Sequence, residues 1–110
     1  MTCNVTKNDL KALAAFSLRK AKSLPENSPE AKAAWLEVSE HTLEIAKLTE
    51  RSEPQGREAR KLAITSAIKA GDLGLARKIV TDMLDRGDIE PALFHEMNEL
   101  LKSKTVSTSA

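Results

Sequence analysis

The tripeptide Ala70-Gly71-Asp72, set between two amphipathic stretches, constrains this chain more than any other feature. Before it, Ala59, Leu62, Ala63, Ser66, Ala67 and Ala70 recur at spacings of three and four, which predicts one face of a helix. Most of these side chains are small, so a neighbouring backbone can approach closely. Gly71 suits the left-handed position that ends a helix, and Asp72 is placed to cap the next one. After the turn, Leu75, Ala76, Ile79, Val80, Met83 and Leu84 form a second apolar arc that stops at Gly87. At about 100° per residue, Ile64 and Ile68 fall roughly opposite the alanine face of the first helix. A helix that is apolar on two sides needs neighbours on two sides, so more helices must pack around this hairpin.

Those neighbours are legible on either side of it. Thr6 and Asp9 resemble a capping box with Asp in place of Glu and open a helix expected to reach about Lys22. Leu10, Leu13, Ala14, Ser17, Ala21 and Leu24 give it an apolar stripe, and Phe16 lies off that stripe. Pro25 breaks the helix. Ser28-Pro29-Glu30 then reads as an N-cap, a proline at the first helical position and an acid in the first turn. The helix it starts is expected to run to about Arg51, with Trp35 the largest anchor of a stripe that includes Ala31, Ala34, Val38, Thr42, Ile45 and Ala46. Leu36 and Leu43 stand on another side, and Glu37, Glu40, Glu44 and Lys47 make a polar face. Ser52 and Gln55 are spaced like a capping box for the hairpin's first helix. Pro91 starts a last helix, about Glu90 to Lys102, carrying Leu93, Phe94, Met97, Leu100 and Leu101.

The expected fold is therefore all-α: a five-helix array of antiparallel hairpins, either a short solenoid or a compact bundle. Residues 1–5 are expected to be loose, 6–103 to form a single helical domain, and the small, polar residues 104–110 to be disordered.

A family resemblance sits on the central hairpin. Lys69-Ala70-Gly71, Ala76, Met83, Gly87 and Pro91, with Ala63-Ile64 upstream, resemble one repeat of the tetratricopeptide or pentatricopeptide type over residues 58–92. The resemblance implies α-hairpins stacked into a solenoid. Two positions depart from the pentatricopeptide pattern: an extra residue in Asp88-Ile89-Glu90, and Arg60-Lys61 where that family carries an aromatic and its base-reading polar residue. Hairpin packing is implied, and that family's RNA code is not.

Composition narrows the function. The aromatic residues are Phe16, Trp35 and Phe94, little material for stacking bases or sugars. A net charge of +1 supplies no global field for nucleic acid or membrane. The charge is blocky nonetheless: +3 over residues 1–28, −3 over 29–53, +4 over 54–80 and −3 over 81–110. Alternating blocks favour successive helices packing on one another, and a basic face for phosphate is the alternative. The single cysteine, Cys3, permits no intrachain disulfide and suits a reducing compartment. No run approaches a membrane span and MTCNVTKNDL lacks a signal-peptide core, so a cytoplasmic protein is expected.

Neither His41 nor His95 has a glutamate three residues before it, the pairing that a carboxylate-bridged metal bundle requires. There is no nucleophile elbow and no glycine-rich phosphate loop, so neither enzymatic activity nor a metal or cofactor is expected. Arg57, Arg60 and Lys61 at a helix start, with Arg77 and Lys78 on the partner helix, are the candidate contacts for RNA or DNA phosphates. Their alternative role is pairing with the acidic face of the second helix. The leading expectation is a noncatalytic protein-protein interaction module, an adaptor or small inhibitor, that receives a partner in a helical groove or on an apolar seam. Phe16, Leu36, Leu43 and Phe94 are its candidate anchors, with Glu37, Glu40 and Arg60 as rim charges. Leu36 and Leu43 also form the candidate seam of a self-associating homodimer.

Overall fold

The computed structural model describes residues 7–108. Its helices are α1 (Lys7–Ser23), α2 (Pro29–Lys47), α3 (Pro54–Lys69), α4 (Leu73–Asp85) and α5 (Pro91–Thr108), with no strand among the described residues. Each helix packs against the next, antiparallel, and α3 also touches α5. The result is an all-α array measuring 52 × 34 × 23 Å. Cys3, Thr6 with its expected capping role, and the expected loose residues 1–5 lie outside the described residues.

Local signals explain most helix boundaries. The Ser28 hydroxyl accepts from the Ala31 amide at 3.1 Å, with Pro29 at the first position of α2. Gly71 has φ +80°, and the Asp72 amide reaches back to the Ala67 carbonyl at 3.0 Å, which closes α3. Asp72 then accepts from the Leu75 amide at 3.0 Å and opens α4. Gly87, at φ +63°, ends α4 in the same way, its neighbour Asp88 donating its amide to the Met83 carbonyl at 2.7 Å.

Three boundaries differ from expectation. Helix α2 stops at Lys47 rather than Arg51, because the Leu48 and Thr49 amides turn back to carbonyls three residues earlier. The Thr49 hydroxyl also donates to the Ile45 carbonyl at 2.9 Å. Ser52 does not cap α3; Glu53 occupies the cap position without a side-chain bond and Pro54 starts the helix. Helix α5 continues through Thr108, past the expected end at Lys102, since no glycine or proline interrupts it.

Two buried clusters hold the array. Leu10, Ala14, Ile45, Ala46 and Ala59 join α1, α2 and the start of α3. The larger cluster joins α3, α4 and α5 through Ile64, Ala67, Ala76, Ile79, Val80, Met83, Ile89, Leu93, Met97 and Leu101. Between α2 and α3 the facing residues are small, Ser39, Ala63 and Ser66 among them, and the Ser39 hydroxyl donates to the Ala63 carbonyl at 2.8 Å. Leu13, expected on the buried stripe of α1, is 45% exposed. Trp35, expected to anchor α2, is only half-buried at the edge of a surface depression.

Candidate binding groove

The basic cluster read from the sequence does not exist as a surface. Arg60 is 2% exposed and spends its guanidinium inside the protein. Its Nε donates to the Asp88 carbonyl at 2.7 Å and its Nη1 to the Gly56 carbonyl at 2.9 Å. Its Nη2 donates to the Thr49 carbonyl at 3.0 Å and to the Asp88 carboxylate at 2.8 Å. A planar fork with several donors matches such converging acceptors as no lysine would. Arg60 therefore ties the α2–α3 turn to the α4–α5 turn and is neither a phosphate ligand nor a rim charge.

Lys61 is also engaged, bridging α3 to α5 through Glu96 at 2.9 Å. The hydrogen bond to Glu96, then its charge, holds the Lys61 ammonium above the usual lysine pKa of 10.5. Neither residue pairs with the glutamates of α2, where the alternative reading had placed their partners. Arg57 lies at the start of α3, while Arg77 and Lys78 lie beside the Gly71 turn, at the opposite end of an antiparallel pair. The structure does not bring these cations together.

The proposed protein-binding anchors are scattered as well. Leu43 is half-buried and packs against the larger core cluster, so it forms no seam with the exposed Leu36. Phe16 is exposed on α1, and Glu37, beside it, accepts from the Ser17 hydroxyl at 3.2 Å. Glu40 is exposed on α2. Phe94 is half-buried at the far end of the array, between α4 and α5. His41 and His95 sit on different helices, and no group of three metal-ligating side chains occurs among the described residues.

What the array does form is a groove. Helices α1 and α3 both pack on α2 without packing along one another. The gap encloses about 530 Å³, with Ala14, Ala15 and Leu18 on one wall, Ala59 and Leu62 on the other, and Thr42 and Ile45 as its floor. Its rims carry Lys11, Gln55, Glu58 and Lys61, and the Lys11 ammonium donates to Gln55 Oε1 across one end at 2.9 Å. A second depression of about 850 Å³ continues from it, since Thr65 lines both. Ile68, Leu73, Leu100 and Trp35 form its apolar part, and the Lys69 ammonium lies 5.3 Å from the centre of the Trp35 ring. Lys22, Lys32, Lys69 and Lys104 surround this second part, with Glu26 its one acidic residue.

Sequence reasoning missed this surface because its position depends on how far α1 stands from α3. The available signal was Leu18, an apolar residue off the main stripe of α1 and next to Ala15. No helix among the described residues is long and apolar enough to cross a membrane. Comparison with protein-family models, with curated proteins and with solved structures finds no match.

Proposed function

We propose that this chain is a noncatalytic, cytoplasmic protein-binding module whose groove takes an acidic, amphipathic segment of a partner. The observation that carries this reading is the open apolar floor between α1 and α3 under a lysine-rich margin. Leu18, Ile45 and Leu62 offer apolar contact to a partner's leucines or aromatics, as in helix-in-groove recognition. Lys11, Lys22, Lys32, Lys69 and Lys104, against Glu26 and Glu58, favour carboxylates on the incoming segment. The scarcity of aromatic side chains argues for peptide over nucleic acid.

The test is a titration with a labelled helical peptide of roughly 20 residues, leucines on one face and glutamates on the other. Trp35 fluorescence and peptide anisotropy should change together. The double variant Lys22→Glu, Lys69→Glu should weaken binding at least about tenfold and flatten its salt dependence, with helicity unchanged. Retention of single-stranded RNA without any peptide binding would sink the reading and give the groove to nucleic acid.

A further inference from the structure

Building on the peptide-binding function proposed above, on which this rests, we infer that the groove orients its partner by charge. The bound segment carries its acidic residues grouped at one end, seated over the second depression, and its apolar residues at the other. From Gln55 to Lys69 along α3 the groove runs about 21 Å, roughly four helical turns. Its two parts differ in charge. In the first, Lys11 stands against Glu58, and Lys61 is bridged to Glu96. In the second, even with Lys104 left aside, Lys22, Lys32 and Lys69 stand against Glu26, and none of the three forms an ion pair among the described residues.

Two of these cations meet at one turn. The Lys32 ammonium comes within 4.0 Å of where a Cβ on Gly71 would stand, and Lys69, two residues before that glycine, lies over the Trp35 ring. The neighbouring acids do not offset them. Glu30 is about 200° from Lys32 around α2, and Asp72 accepts from the Leu75 amide as the cap of α4. At physiological salt the Debye length is about 8 Å. A partner carboxylate over Leu62 or Ile45 lies about 10–20 Å along the helices from Lys69 or Lys32 and gains little from them. One over Trp35 and Ile68 is within their reach. Acids spread evenly along a segment therefore waste most of their charge, and acids grouped at either terminus draw that terminus to the second depression, whichever way the chain then runs.

Three labelled amphipathic peptides of identical composition, roughly 15 residues each, test this: glutamates spaced along one face, grouped at the N-terminal end, or grouped at the C-terminal end. Both grouped peptides should bind at least about tenfold tighter than the spaced one at low salt, and high salt should shrink the difference. A nitroxide on the acidic end should broaden the methyl resonances of Leu73 and Leu100. Moved to the apolar end, it should broaden those of Ile45 and Leu62 instead, in both grouped peptides. The double variant Lys32→Gln, Lys69→Gln should remove the advantage of grouping, with helicity unchanged by circular dichroism. Equal affinity for the three peptides, or broadening that ignores where the acids lie, overturns the inference and leaves the peptide-binding reading standing. Binding of none of the three overturns that reading, and the inference with it.

Discussion

Around α1 and α2 the buried apolar cluster is Leu10, Ala14, Ile45, Ala46 and Ala59, whereas around α4 and α5 it contains Ile64, Ile79, Val80, Met83, Ile89, Leu93, Met97 and Leu101. Alanines bring helices close but remove little apolar surface from water; isoleucine, leucine and methionine do the reverse. The first half of the array is thus thin and joined by small residues, and its groove stays open. The second half buries more apolar side chain. Such a difference predicts the lower opening free energy at α1, and the α1–α3 groove lies against the half with less apolar packing.

The comparison is most exposed to failure at Arg60, which links the two halves. Arg60→Met should cost about 3–5 kcal/mol in urea unfolding, because it leaves the Asp88 carboxylate and three carbonyls without their donor. A loss under about 1 kcal/mol would mean the halves do not depend on the Arg60 network. Truncation within each core comes next. Leu93→Ala should cost about 3–4 kcal/mol and Leu10→Ala about 2 kcal/mol, since Leu10 sits at the margin of a small cluster that can collapse. Equal costs would break the contrast between the halves, and amide exchange faster in α1 than in α3 would sharpen it.

At the seam between the halves the expected effects are smaller. A side chain at Gly56 would collide with the Glu50 carbonyl oxygen, so Gly56→Ala should cost about 1–3 kcal/mol although alanine is the better helix former. Ser66 points the other way. Its hydroxyl is fully buried without a hydrogen-bond partner, and Ser66→Ala should raise stability by about 1 kcal/mol by thermal or urea unfolding. A destabilised Ser66→Ala would show that this hydroxyl holds the α2–α3 contact.

The helix starts and stops at Ser28-Pro29, Gly71-Asp72 and Gly87 were legible because each acts within about four residues of itself. The two-sided burial of α3, with alanines toward α2 and Ile64 toward the larger cluster, followed from angular spacing alone. Arg60 was misread because nothing local distinguishes a buried guanidinium from a surface cation. Its burial depends on Thr49, eleven residues before it, and Asp88, 28 residues after it. Leu13 and Trp35 lie at the margins of their stripes, where a small rotation of one helix against its neighbour decides exposure, and no period resolves that. The groove is an interval between helices, and amphipathic patterning encodes faces rather than intervals.

The Arg60 network also bears on how the chain can be made and divided. Synthesis delivers Arg60 well before Asp88, so a nascent chain that has formed α1 to α3 holds a charged fork with two of its four bonds still missing. Helices that look like separable units are therefore coupled: a fragment ending after the Gly71 turn would leave the Arg60 guanidinium without either of its Asp88 acceptors, a cost that the full array does not carry.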